Sequence, residues 1–589
     1  MSMDMEAIQV TPVWQLYEKG RSYHWRTGIY TDTDRNNNFY NGNQWAGAKL
    51  GDVEPVQKNF IKPIVKYKLA VIHSNLYAIV YSSQNYENIE FQRASGRYCE
   101  MLNRYAARVW EKDKMDFKGR RASKDAAIND EGIIYVNFDV EKMLPQNEII
   151  DKNDIYYGNE NSDDIQSQPY ILIRKRLPLV NAIDLALSEG MSRDKIDFII
   201  PDNDTFTEAG EAAKIEVDDM VTIVYKLYKK EGTVHFSAAT RWVEIVPDAD
   251  TGLTLYPVAH MVWEEKKGSA RGEGEVRYLI PNQIEVNRTE VRRVLTVKYQ
   301  AYPQKVVDTS KISNPQALNT VGGIIRTNGQ PVEDVHKIIG TIPPAQMSPD
   351  VVKLQEDLIT VTRDLAGAGD TATGQVNPES ASGRAILAVQ QASQAPMTEQ
   401  KESYKNFIED LARIWLDYLI VHSADGVNLE EVATDPVSGE EYVELVNVPQ
   451  TVLQQLQATV KIDITPKGVY DKFAQEQTIE NLLTLGFFSA QRVGELATYA
   501  SVLDDDSVAP KKKIEEAIQH IRDEQRKIAM IQAEAQAMQQ RAQQFLMGDP
   551  DEQASQIADA RMQMQAQEQT PAEADVEAEE QRNEEESTQ

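Results

Sequence analysis

The sequence predicts an α+β protein made of several structural units. Three observations carry this expectation. Apolar residues recur at mixed three- and four-residue spacing through the first 130 positions; β-branched and aromatic runs cluster between Met220 and Glu265; and helical texture returns from about Pro466. A chain of 589 residues exceeds one ordinary domain, and 41% hydrophobic residues with seven Trp and 25 Tyr suffice to build real cores.

Taken in order, Val13 to Arg26 reads as a first helix, followed by the polar run Thr31 to Asn38. Asn59 to Tyr81 and Gln92 to Trp110 have the spacing of packed helices. After Glu131 the texture changes: Gly132 to Val140 and Tyr170 to Leu177 look like strands. Three more strand-like runs start at Val221, Thr233 and Leu253, separated by the turn sequences KKEG and PDADTG. The Gly-rich stretch Lys267 to Glu275 reads as a flexible connection into a helix over Val276 to Gln300, with Pro281 in its first turns.

Strand and loop alternate from Ala301 to Pro344, and Ser348-Pro349-Asp350 is a start signal for a helix ending at Leu365. Ala366 to Ser382 has no periodicity and reads as a loop. Gly383 to His422 then forms one long helix of ~60 Å that Pro396 should kink. Asp435 to Val446 is a hairpin signal. From Lys511 to Phe545 a heptad seam runs through Ile514, Ile521 and Ile528, with Ile531 and Met538 on its second line. Such a stripe packs on a partner helix or on its own chain.

The formal charge is -30. Residues 548–589 hold 13 acidic and two basic side chains, so 19 of those negative charges belong to the rest of the chain. A protein that grips nucleic acid through a basic face is disfavoured, because phosphate neutralisation supplies most such affinity. The tail has the composition of a disordered segment. No apolar run of spanning length occurs: Phe60 to Tyr81 is broken by Lys62, Lys66, Lys68 and His73, so no membrane span is expected. Cys99 cannot pair within the chain and reads as a small buried apolar residue, which fits a reducing compartment.

A search for chemistry returns little. There is no G-x-x-x-x-G-K-[ST] loop, which argues against an ATPase. Asp32-x-Asp34-x-Asn36 opens like a calcium loop but has Asn37 and Asn43 where Gly and Glu are needed. The seven histidines (His24, His73, His235, His260, His336, His422 and His520) have no second ligand at metal spacing. No catalytic, cofactor or metal residue is therefore assigned.

Three blocks resemble the portal family of tailed bacteriophages. The first is Asn38 to Trp45, followed by Asn59 to Val65; the second is the strand cluster, then Gly272 to Val276, then the helix over Gln283 to Lys298; the third is Glu379 to Ile386, opening the long helix. The resemblance covers roughly residues 30 to 425. It implies a portal fold with a mixed α/β wing, a β-rich clip, a long stem helix, a kinked long helix and a helical C-terminal crown. On this reading 1–215 and 301–365 form the wing, 216–272 the clip and 273–300 the stem helix; 366–382 is the tunnel loop, 383–465 the kinked helix with a wing hairpin, 466–547 the crown and 548–589 the acidic tail. A stem helix should also precede the clip, and residues 141–215 contain no segment that matches one.

Further implications follow from the resemblance. The protein should be a non-enzymatic, cofactor-free ring subunit, commonly one of twelve, in the virion at the capsid vertex, assembled in the host cytoplasm. Double-stranded DNA should pass through without sequence reading. The terminase large subunit, then a head-tail adaptor, should dock, with major capsid and scaffold proteins alongside. Gly369, Asp370, Thr371, Ala372, Thr373, Gly374, Gln375, Val376 and Asn377 are the expected channel-lining loop residues. Arg288, Arg292, Arg293 and Lys298 either face the channel or form intersubunit ion pairs. A net negative subunit would keep DNA contacts weak enough for sliding. The competing readings are a helical scaffold or adaptor of virion assembly, which the mixed middle disfavours, and an enzyme with a dispersed site.

Overall fold

In the computed structural model the described residues are 9–49, 54–83, 89–202, 219–302, most of 304–369, 395–434, 441–456, 458–466 and a few positions between 527 and 539. The chain forms two compact units, Met1–Gly468 and Val469–Gln589.

In the first unit, α1 (Pro12–Thr27) starts at Thr11, whose side chain accepts from Trp14 N, and ends at left-handed Gly28. Helix α2 (Ile29–Asn41) follows at once. The polar run Thr31 to Asn38 is thus helical rather than an interruption, because Thr33, Asn36, Phe39 and Tyr40 form its buried face. The helix expected over Asn59 to Tyr81 is in fact α3 (Ile61–Ile72) followed by strand β1 (Asn75–Ser83). The β-branched and aromatic run beyond His73 pairs with β14 (Ala458–Pro466), so long-range pairing overrides the helical spacing.

Helices α4 (Ile89–Lys112) and α5 (Met115–Asn129) lead into β2 (Glu131–Asp139) and β3 (Leu144–Ile150). Then come β4 (Ile155–Tyr157), β5 (Ile171–Pro178), α6 (Leu179–Ser188) and the single turn α7 (Arg193–Ile196). Strands β6 (Met220–Lys230), β7 (Thr233–Ala239) and β8 (Glu244–Asp250) complete an antiparallel sheet of order β4-β5-β6-β7-β8. The β6–β7 turn places Glu231 and Gly232 at φ 55° and 94°, the geometry a two-residue hairpin needs. From the run at Leu253 only β9 (Val258–Val262) is strand. It joins a separate sheet of order β3-β2-β9, so the strand cluster divides between two sheets.

Beyond β9, α8 (Glu275–Ala301), β10 (Lys305–Val307), β11 (Ile339–Thr341) and α9 (Pro349–Leu365) follow. The long helix is α10 (Thr398–His422), with Pro396 in a 3-10 turn at its head. Its expected portion before 395, and with it the kink, lies outside the described residues. The hairpin is β12 (Val427–Thr434) with β13 (Glu441–Val448), and α11 (Gln450–Leu456) precedes β14. One core, with Trp263, Trp415, Tyr404 and Phe407 at its centre, joins α3, α4, α5, the β3-β2-β9 sheet and α10.

In the second unit, Ile528 and Ile531 are helical and exposed. Ile514, Ile521 and Met538 lie outside the described residues, as does the acidic tail.

Candidate DNA conduit

The 27-residue helix α8 is ~40 Å long and changes character halfway. Val276, Leu279, Ile280, Gln283, Val286 and Asn287 are buried; every residue from Arg288 onward is exposed or half-exposed. Helix α9 runs back beside it. Thr362 Oγ1 accepts from Asn282 Nδ2 at 2.9 Å, and Gln355 Nε2 donates to Glu290 Oε2 at 2.9 Å, so the later α9 residue meets the earlier α8 residue and the two are antiparallel. Between them the described residues of 302–347 include the β10–β11 pair, a 3-10 turn over Pro315–Asn319 and a bridge from Ile312 to Thr327. Tyr302, Val306, Ile324 and Ile342 are exposed there. Among the described residues of this excursion only Ile312 and Ile338 are buried, so it stands as an arm joined to the body at its root, the buried half of α8.

The first of the sequence blocks that carried the resemblance is the clamp on that root, whereas the third, Glu379 to Ile386, lies outside the described residues. Asn287 Nδ2 donates to Gln44 Oε1 at 2.5 Å, while Asn287 Oδ1 accepts from Lys58 N at 3.3 Å. Gln283 Oε1 accepts from Phe60 N at 3.1 Å and its amide donates to Lys58 O at 2.7 Å. Asn59 Nδ2 reaches Tyr40 O at 3.1 Å, and Trp45 Nε1 reaches Val56 O at 3.1 Å. The first block therefore fixes the buried half of α8 through side-chain amides that pair with each other and with the backbone of Lys58 and Phe60.

A second clamp grips the segment just before α8. The stretch Lys267 to Glu275 is not a flexible connection: Ala270, Arg271, Gly272, Gly274 and Glu275 are buried. Glycine is required because a Cβ at Gly272 would meet Glu264 O and Val262, and one at Gly274 would meet Asp130. Arg271 donates to Glu131, to Glu160 at 2.9 and 3.0 Å, to Ile155 O at 3.0 Å and to His24 Nε2 at 2.9 Å. Glu131 also accepts from Tyr157 at 3.1 Å and lies 2.8 Å from His260 Nε2. Burial pushes the Glu131 carboxyl up, but Arg271 and His260 outweigh it and hold it down at about 2. Beside this network Lys152 pairs with Asp130, whose other oxygen accepts from Gly274 N at 2.7 Å.

Arg288, Arg292, Arg293 and Lys298 all lie on the exposed half of α8. Arg288 reaches Glu285 at 2.6 Å and Arg293 reaches Glu290 at 3.9 Å, both as surface pairs along the helix. Arg292 and Lys298 form no ion pair with a described side chain. Of the expected loop, Ala366 to Gly369 form a turn that caps α9: Ala366 N and Ala368 N donate to Thr362 O and Arg363 O, and Gly367 is left-handed at φ 70°. Asp370, Thr371, Ala372, Thr373, Gly374, Gln375, Val376 and Asn377 lie outside the described residues.

The sequence reading missed Arg271 and its partners, which are far apart along the chain, and it missed α9 as the return limb of the arm. Small residues alternating with charge in Ser269 to Glu275 were the available signal. Among the described residues no group of His, Cys, Asp and Glu could hold a metal, and no helix is long and apolar enough to cross a membrane.

No curated protein matches the chain. A model of the phage P22-like portal protein family matches residues 193–577, which is more than half of the chain and includes the arm, α10 and most of the second unit. The chain belongs to the phage P22-like portal protein family, a structural component of the virion's capsid vertex.

Proposed function

We propose that this protein is one subunit of a closed ring through which double-stranded DNA is packaged, retained and ejected. The single observation that carries the detail is the antiparallel pair α8 and α9, which leaves the body together and returns to it. On this reading α8 and α9 are the two stem helices, and residues 302–347 between them are the clip that meets the terminase large subunit and later a head-tail adaptor. The strands between Met220 and Val262 then belong to the wing, since β6 pairs with β5 and β9 pairs with β2. This also supplies the stem helix for which residues 141–215 contain no candidate.

Arg292 and Lys298 are the channel-facing cations in this proposal, and Arg288 and Arg293 are turned to Glu285 and Glu290. Weak phosphate contacts suit sliding, because each counter-ion-releasing contact brakes translocation. The loop from Asp370 to Asn377 lines the narrowest passage, Pro396 kinks the long helix behind it, and the C-terminal helices form the crown. The ring number is twelve, and scaffold and major capsid proteins surround the ring during assembly in the host cytoplasm. The subunit does no chemistry of its own; terminase supplies the work.

The test is packaging and retention in a phage carrying a deletion of Asp370 to Asn377. Intact rings with impaired packaging or early DNA loss support the reading; normal packaging and normal retention overturn the loop assignment. Arg292→Gln with Lys298→Gln should change DNA translocation while leaving ring assembly untouched. Loss of rings would instead place these cations between subunits.

A further inference from the structure

Helix α5 has two unlike faces. Its inner face is built of small residues (Gly119, Ala122, Ser123, Ala126 and Ala127), which lets it press against β2 and Tyr404. Its outer face carries Phe117, Arg120, Arg121 and Lys124 at i, i+3, i+4 and i+7, so all four share one stripe along the helix. All four are exposed, Phe117 at 65%. Lys62 of α3 extends the stripe: its Nζ and that of Lys124 sit over the same Tyr40 ring, at 5.7 and 5.3 Å.

None of these four cations forms an ion pair with a described side chain, although the chain as a whole carries a formal charge of -30. The nearby acids are engaged elsewhere. Asp113 pairs with Lys118 and accepts from Asn147 Nδ2 at 2.7 Å, and Asp116 accepts from Trp110 Nε1 at 3.2 Å. Asp125 forms no ion pair with these cations: burial and then Asp151 push its carboxyl up to about 6, and Arg121 and Lys124 only partly offset that. A basic island on an acidic protein is complementary to an acidic partner. The exposed aromatic at its end decides the class. A phosphate backbone offers Phe117 nothing to bury against, whereas a peptide carrying both acids and apolar side chains satisfies the cations and covers the ring.

We propose that the α5 stripe, with Lys62, docks an acidic peptide bearing an apolar anchor, presented by another protein. Arginine at the two central positions suits this, because each fork grips a carboxylate bidentately.

The experiment measures fluorescence anisotropy on the full chain with two labelled probes: an amphipathic peptide of glutamate and leucine at helical spacing, and a random-sequence duplex DNA. Because the stripe is solvent-exposed, Arg120→Glu with Arg121→Glu, and separately Phe117→Ser, should leave the unfolding temperature unchanged. The proposal expects the charge reversal to weaken peptide binding by about tenfold or more and Phe117→Ser to weaken it several-fold. Absent peptide binding, or binding indifferent to both variants, overturns it. Duplex binding that needs the arginines but ignores Phe117, with the peptide unbound, assigns the stripe to phosphate instead. A change of oligomeric mass in either variant makes the stripe a contact between copies and also overturns it.

Discussion

Lys68 Nζ donates to Glu275 Oε2 at 2.6 Å, joining α3 to the first turn of α8 across 207 positions of sequence. Both side chains are buried, and the same carboxylate oxygen accepts from Trp263 Nε1 at 3.2 Å. An acid in the first turn also complements the helix dipole. Three elements thus converge on one carboxylate at the root of the arm.

Removing one partner should therefore be costly. Lys68→Met leaves the Glu275 charge buried without its cation, and a loss of about 3–5 kcal/mol is expected. The double variant Lys68→Met with Glu275→Gln should recover much of that loss, because the glutamine can still accept from Trp263. Denaturant titration of the single and double variants checks both statements.

Acid should loosen the Arg271 network through His24. Burial, and then Arg271, lower the His24 imidazole from 6.5 to about 4. The unfolded chain therefore takes up this proton first. Stability should fall as pH drops from about 6.5 to about 4, by up to roughly 3 kcal/mol for this group. His73, also lowered to about 4 by burial, adds a second decrement of the same sign. Glu131, already held at about 2, contributes its loss only below the ordinary carboxylate range. The slope above about pH 4.5 should flatten in His24→Gln, as read by unfolding at a series of pH values.

Asp125 has the opposite sign. With its folded carboxyl raised to about 6, the folded state binds this proton more readily than the unfolded chain. Its ionised form costs stability above that pH and the cost disappears as pH falls below the ordinary carboxyl value. Asp125→Asn should stabilise the protein by about 1–3 kcal/mol near pH 8 and have little effect near pH 4. Thermal unfolding at the two pH values decides it.

Gly132 and Gly119 test the packing of α5. A Cβ at Gly132 would collide with the Ala122 carbonyl, and one at Gly119 with the Tyr404 hydroxyl. Gly132→Ala meets rigid backbone and should cost several kcal/mol, of the order of overpacking or more. Gly119→Ala meets the end of a side chain rather than backbone and should cost less. The order of their unfolding midpoints is the readout.

How far the sequence was legible follows from range. Helices with local signals read well: Ser348 caps α9, and the Glu231-Gly232 turn joins β6 to β7. Pairings between distant residues did not. The apolar spacing of Asn59 to Tyr81 suits a helix, and only β14, almost 400 positions later, makes its second half a strand. Likewise Lys267 to Glu275 has loop composition, yet its charges find partners on α1, β2 and α3 that no local pattern announces. The motif residues Gln44, Asn59 and Asn287 were visible as a resemblance, and their shared role as the clamp on α8 became visible only in three dimensions.

The central claim is that copies of this chain close into a ring with a channel, formed through the α8–α9 arm. Mass photometry of the purified 66.5 kDa chain, followed by end-on electron micrographs, tests it most directly. The account predicts a closed ring of about twelve subunits, near 800 kDa, with a central hole that admits duplex DNA. A closed dimer, or an assembly without a channel, under conditions that include scaffold protein would contradict it.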